Sequence, residues 1–215
     1  MTVSSLTNAL MSKGLSPARL LYLCDHTQVG ARNAAARDAI ALDAEWLFFV
    51  DSDMDFPADT LPRLKSMDCD IASLDMWTRS IPSFRMILKL GDVDESGRRR
   101  CTPVEPIPIG DDNGRPLYGV QDADVVGMAC TLIKVSLLKR MAPPWFFMVD
   151  HGEDASFCFV AKEKYGASIK CDFGAVSGHW GVVRLAGDTW SRDAENQPMQ
   201  IADPDMLKAM GAKNV

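Results

Sequence analysis

The chain predicts a single α/β domain with a mixed, mostly parallel sheet flanked by helices. Three observations carry this. Residues 19–24 (RLLYLC) and 46–50 (WLFFV) are short apolar runs of strand length. The alanine-rich residues 31–42 between them suit a helix. Strand, helix, strand within about 30 residues is a βαβ unit, whose crossover makes the two strands parallel.

The other elements follow in order. Residues 5–13 fit a short helix stopped by Gly14, and residues 25–30 a polar turn. Phe56-Pro57 breaks the chain after the second strand. Residues 60–67 read as a short helix with Pro62 in its first turn, where its missing N–H does no harm. Residues 70–74 read as a strand, 76–82 as a loop with Trp77 and Arg79, and 84–90 as another strand. Residues 91–119 carry two turn signals, Asp94-Glu95-Ser96-Gly97 and Asp111-Asp112-Asn113-Gly114, between β-prone pieces. They predict an antiparallel hairpin excursion, with Arg98-Arg99-Arg100 as a solvated face. Residues 120–133 are apolar and include Gly127, which permits close backbone approach. Residues 135–141 fit a short helix ended by Pro143-Pro144. Residues 153–165 fit a helix closed by Gly166, and 168–172 a final strand. Residues 184–215 form a polar C-terminal tail.

Bulk properties narrow the function. The 215 residues suffice for one domain with a full core. With 47% hydrophobic and 24% charged residues the chain is globular rather than disordered. A net charge of −6 argues against direct nucleic-acid binding. It also means that a phosphorylated ligand needs a metal or local arginines to offset repulsion. No apolar run reaches the roughly 20 residues of a membrane span. Residues 1–13 lack the basic and apolar regions of a signal peptide, so a cytoplasmic location is expected. The six cysteines form no C-x-x-C pair and several lie in apolar runs, so buried reduced thiols are expected.

The chemistry concentrates at strand ends and helix starts. Asp51 and Asp53 follow the strand over 46–50. Two carboxylates there are costly to bury unpaired, and they suit a hard divalent cation with the phosphates it carries. The C-terminal edge of an open α/β sheet is also where ligands bind. Glu153 and Asp154 open a helix, where capping and the macrodipole favour acidic residues. Such a carboxylate at a cleft edge also serves as a general base. His179, between glycines after the last strand, is able to complete a site begun by carboxylates. Arg32 and Asn33 open the first helix, whose N-terminus can face phosphate. His26 and Thr27 lie in the loop before it.

Together these pieces resemble a GT-A glycosyltransferase of the broad family-2-like kind. Ala31-Arg32-Asn33 is similar to that family's helix start, and residues 46–53 (WLFFVDSD) to its strand plus D-x-D. Gly152-Glu153-Asp154 resembles its acceptor-side E-D motif. Gly178-His179 resembles its late metal-ligand histidine. The resemblance spans about residues 20 to 181, in the family's order.

It implies a GT-A (Rossmann-like) fold and a sugar transfer from a nucleoside diphosphate sugar to an acceptor hydroxyl, with inversion. Asp51, Asp53 and His179 would hold Mn²⁺ or Mg²⁺. Asp25, His26, Thr27, Arg32 and Asp51 would seat the nucleotide. Asp154, or else Glu153, would be the base. Trp77, Arg79, Trp145 and Trp180 would shape the sugar and acceptor region, because aromatic faces pack on apolar sugar faces; core packing is the alternative for each tryptophan. Only Met1 to Ser4 precede the helix expected over 5–13, so the family's first strand is expected to be abbreviated or lost. The edge this leaves suits edge-to-edge pairing with a second copy.

Two other readings stay open. A nucleotidyltransferase shares the architecture and the metal carboxylates, but residues 21–32 lack its Gly- and basic-rich phosphate loop. A non-catalytic nucleotide-sugar-binding protein is consistent with the short N-terminus.

Overall fold

The computed structural model describes residues 27–51, 53–78, 83–93, 95, 99–109, 117–148, 152–179, 190–191 and 200–201. The helix expected over 5–13 and the strand expected over 19–24 lie outside these residues. The first described element is helix α1, Gln28–Ala41. Thr27 caps it, its hydroxyl accepting from the Gly30 N–H at 3.1 Å. Arg32, Ala35, Ala36 and Ala39 form its buried stripe at helical spacing. Asp43, at φ 50°, turns the chain into strand β1, Trp46–Val50.

Two-residue strand β2 (Met54–Asp55), helix α2 (Thr60–Ser66) and strand β3 (Ile71–Met76) come next. All six residues of β3 are buried, as a strand covered on both faces requires. Strands β4 (Ile87–Val93), which takes in most of the strand expected over 84–90, and β5 (Arg99–Pro103) pair antiparallel. The apolar stretch over 120–133 carries three strands: β6 (Val120–Asp122), β7 (Val125–Val126) and β8 (Cys130–Lys134). Helices α3 (Val135–Arg140) and α4 (Gly152–Tyr165) precede strand β9, Ile169–His179. Strands β10 (Trp190–Ser191) and β11 (Gln200–Ile201) pair with each other.

The main sheet runs β1-β8-β3-β9-β2, with β6 also on β9. A second sheet runs β5-β4-β7. The expectation of a mostly parallel sheet is corrected here. Among the described pairings of the main sheet, only β3 with β9 is parallel; β1·β8, β3·β8, β2·β9 and β6·β9 are antiparallel. The physical reason is an inserted strand. β1 and β3 point the same way, as a helical crossover demands. β8, arriving from the excursion, slots between them in the opposite direction.

β9 also runs seven residues past its expected end. Its register with β3 jumps from Leu74↔Asp172 to Asp75↔Val176, so residues 173–175 bulge out and pairing then resumes to Ser177. At the bulge the Gly174 N–H donates to the Asp172 side chain at 2.8 Å, a local turn absorbed into the strand. A side chain at Gly174 would meet the Tyr118 carbonyl at 2.5 Å, so only glycine fits.

The core lies on both faces of the sheet. On one side Ile133 and Ile169 pack with Leu137, Phe146 and Phe157 beneath α1, α3 and α4. On the other, Leu74, Met76 and Leu132 pack with Leu64 of α2 and Phe56. No helix among the described residues is long and apolar enough to cross a membrane.

Candidate functional site

Four segments far apart in sequence meet at one end of the sheet. The first is the start of α1. Arg32 is buried, and its guanidinium reaches three carboxylates: Glu153 at 2.5 Å, Asp154 in closer contact, and Asp51 at 3.9 Å. A guanidinium out of water needs such partners, since an uncompensated buried charge costs several kcal/mol, of order 3–5. The expectation that Arg32 faces a nucleotide is therefore refined: its nearest partners are the acidic residues of α4.

The second segment is the turn after β1. The Asp51 N–H donates to the Ala129 carbonyl at 2.9 Å, extending the β1·β8 ladder by one residue. The Met54 N–H donates back to the Asp51 carbonyl at 3.2 Å, closing the turn that carries Asp53. The Asp51 side chain is 39% exposed, and it raises the Cys130 thiol pKa as a second cause behind burial.

The third segment is the start of α4, where the two acidic residues divide. Glu153 is the buried one, its side chain 8% exposed and hydrogen-bonded to Arg32. The Asp154 side chain is 18% exposed. Its Oδ2 accepts from the Met128 N–H at 3.1 Å, while Oδ1 lies against Arg32. Gly127 makes room beside it, since a Cβ there would stand 3.8 Å from Asp154 Oδ2 and 3.2 Å from Met76.

The fourth segment is the end of β9. Met54 pairs with His179 and Asp55 with Gly178, so the β9 backbone reaches the residue after Asp53. His179 belongs to the strand and not, as expected, to a loop after it; its side chain lies outside the described residues. Two carboxylates and an imidazole are a donor set that fits Mn²⁺ or Mg²⁺. Among the described residues no group of three or more acidic, histidine or cysteine side chains is arranged to hold a metal ion.

The remaining expected residues divide. Thr27 caps α1 and is exposed. Trp77 is half-buried at the end of β3, with the Arg85 guanidinium 4.7 Å from its ring. Arg85 in turn donates to the buried Asp75 at 2.8 Å. Trp145 is buried, and its indole N–H donates to the Leu138 carbonyl at 2.9 Å, so its ring belongs to the core and not to a sugar face. Asp25, His26, Arg79 and Trp180 lie outside the described residues.

Sequence reasoning read Asn33 only as part of the helix start, and it missed Met128 and Thr131. Asn33 latches the segment before α4 to α1: its amide nitrogen donates to the Val29 and Phe146 carbonyls, and its oxygen accepts from the Trp145 and Phe146 N–H groups. The Met128 N–H orients Asp154. The Thr131 hydroxyl donates to the Gly127 carbonyl at 2.6 Å, fixing the turn that presents Met128. Backbone donors and latches of this kind leave no signature of their own; Asn33 within the helix-start motif and Gly127 marked the spot without showing what they bond.

No family model matches the chain, and no curated protein matches it. Solved structures similar to it include two of interest to the fold. One is A197 from STIV, at 15% identity, 84% coverage of this chain, 80% of that chain and a TM-score of 0.47. The other is GalNAc-T7, crystallised with UDP, GalNAc and Mn²⁺, at 12% identity and a TM-score of 0.48; the match covers 71% of this chain and 30% of that one. At that level of likeness, the functional reading rests on this chain's own residues.

Proposed function

We propose that this chain is a metal-dependent glycosyltransferase of the GT-A, family-2-like kind. It would move a sugar from a nucleoside diphosphate sugar to an acceptor hydroxyl with inversion. The observation that carries the reading is the meeting of Arg32, the Asp51–Asp53 turn, Asp154 and the end of β9 at one end of the sheet.

In this reading Asp154 is the base. Its partly buried carboxylate, the less buried of the two, takes the acceptor hydroxyl proton as the new bond forms to the anomeric carbon. The bond from that carbon to the diphosphate breaks on the opposite face, and the nucleoside diphosphate leaves. Glu153 is the positioning residue, holding Arg32 and through it Asp154. Asp51, Asp53 and His179 would hold Mn²⁺ or Mg²⁺, which when bound supplies Lewis-acid stabilisation of the diphosphate leaving group. Asp25, His26 and Thr27 would seat the nucleotide. Trp77, with Arg79 and Trp180, would line the sugar and acceptor region.

A thermal-shift screen of nucleoside diphosphates and their sugar conjugates, with and without Mn²⁺, tests this. A Mn²⁺-dependent rise in Tm with one diphosphate, lost in Asp53→Ala, is the expected result. No rise with any of them overturns it. One observation favours binding without turnover: Asp154 already carries both Arg32 and the Met128 N–H. Metal-dependent donor binding with no release of nucleoside diphosphate to any acceptor would establish that alternative.

A further inference from the structure

A second pair of buried opposite charges stands at the end of β3. Asp75 is 1% exposed and Arg85 9%. The Arg85 Nε–H donates to Asp75 Oδ1 at 2.8 Å, and the Trp77 indole N–H donates to Asp75 Oδ2 at 3.4 Å. The guanidinium also lies over the Trp77 ring, 4.7 Å from its centre, and 5.6 Å from the centre of the buried Phe173 ring. Backbone contacts fix the frame around them. Trp77 is bridged to Arg85, the Met86 N–H donates to the Met76 carbonyl at 2.8 Å, and the Ser177 hydroxyl donates to the Asp75 carbonyl at 3.2 Å. The indole is thus held at its edge by a carboxylate and over its ring by a cation, yet it stays only half-buried.

Stability alone does not account for this pair. Well-packed apolar residues of like volume are often as stable as a buried ion pair, or more so. The neighbouring Cys171 and Phe173 already belong to the apolar core. What the two charges add is a fixed orientation for one partly accessible ring. The ring's place gives that orientation a use. Ile71 of β3 packs in the same core cluster as Phe157 of α4. Side chains alternate along a strand, so Asp75 and Trp77 project from that face, which also carries Asp154 at the start of α4. Trp77 also follows Met76, whose Cε lies 3.2 Å from the point where a Gly127 Cβ would stand, and Asp154 Oδ2 lies 3.8 Å from that point.

We propose that Asp75 and Arg85 are positioning residues that set Trp77 as a stacking platform for a pyranose ring of the acceptor. The inference rests on the transferase reading and deepens it, since it makes the acceptor a saccharide. A pyranose carries apolar C–H groups on its ring faces, and these pack on an indole while the hydroxyls stay in water. A platform on the face that carries the base serves the ring whose hydroxyl is to lose its proton. Arg85 suits the task better than a lysine would, because only a planar guanidinium both meets the carboxylate and stacks on the indole.

Saturation-transfer NMR on the full chain tests this, with the methyl pyranosides of glucose, galactose, mannose and N-acetylglucosamine as probes. Each is used at about 20 mM, a concentration set by millimolar-class affinity. Ring C–H protons of at least one pyranoside should receive saturation from the wild-type chain. Trp77→Leu should abolish the transfer with a near-native Tm, and Trp77→Phe, which keeps an aromatic face, should retain it. Arg85→Lys should raise the pyranoside Kd about tenfold. In chain labelled with 5-fluorotryptophan, Arg85→Lys should also broaden or split the Trp77 fluorine signal, identified among the five tryptophans by its loss in Trp77→Phe. Transfer to none of the pyranosides overturns the proposal, as does transfer that persists in Trp77→Leu. An Arg85→Lys chain that binds as tightly as wild type with an unmoved Trp77 signal overturns it too. The readout needs neither donor nor metal, so a failed nucleoside diphosphate screen counts against the transferase reading and a failed pyranoside screen against the platform.

Discussion

Arg32 and Glu153, 121 residues apart in the chain, are hydrogen-bonded at 2.5 Å in the buried floor of the candidate site. The pair ties the first residues of α1 to the first turn of α4. With Asn33 it brings the two helix N-termini to the same end of the sheet as the Asp51–Asp53 turn. The arrangement is structural before it is chemical, because neither charge is tolerable alone at that depth.

Removing one partner should therefore be costly. Arg32→Met leaves Glu153 buried without compensation and should lower stability by about 3–5 kcal/mol in urea denaturation. Adding Glu153→Leu should restore a large part of the loss. A single-variant loss below about 1 kcal/mol would show that the pair is solvated.

Asn33→Ala should strip partners from two backbone N–H groups and a carbonyl in the Trp145–Phe146 segment. The expected loss is on the order of 2 kcal/mol, read by denaturation. Asn33→Asp keeps the acceptor and loses only the donors, so it should cost less.

If Asp154 is the base, Asp154→Asn should reduce sugar transfer by about 10²–10⁴-fold while leaving the diphosphate-induced Tm rise in place. Glu153→Gln should act first on stability. Equal turnover in Asp154→Asn and wild type would remove Asp154 from the chemistry.

The buried cysteines predict an alkaline weakness. Burial pushes the Cys69 thiol up to about 11 and the Cys158 thiol up to about 12. Cys130 and Cys171 are also raised, chiefly by burial. A thiol whose folded pKa lies above its unfolded value contributes stability that is complete below the unfolded pKa, near 8.5. That contribution is lost as pH rises toward the folded values. Stability should fall above about pH 9, and these four thiols should resist a thiol reagent at pH 8 until the protein is denatured.

Asp124 predicts the opposite flank. Burial raises its pKa, but the Lys162 ammonium, the Leu90 N–H and Lys89 outweigh burial and hold it below the usual carboxylate range. A depressed carboxylate contributes stability that is present above its unfolded pKa of about 3.9 and lost as pH falls through the folded value. An acid titration of Asp124→Asn should therefore be shallower below about pH 4 than that of wild type.

Much of the chain was legible before folding, because local patterns carry local structure. The alanine run of α1 and the apolar runs of β1 and β3 lie where pattern and propensity put them. So do the candidate residues Asp51, Asp53 and Asp154, since strand ends and helix starts are read from sequence. Pairing was not legible. That β8 runs antiparallel between β1 and β3, that residues 173–175 bulge so β9 reaches Met54, and that Trp145 turns into the core are outcomes of long-range packing. Arg32's choice of Glu153 and Asp154 is of the same kind. A strand's sequence fixes which residues share a face, but its neighbour and direction are decided by which chain segment buries the most surface against it. The partner of a buried charge is likewise decided only when the fold has removed the water.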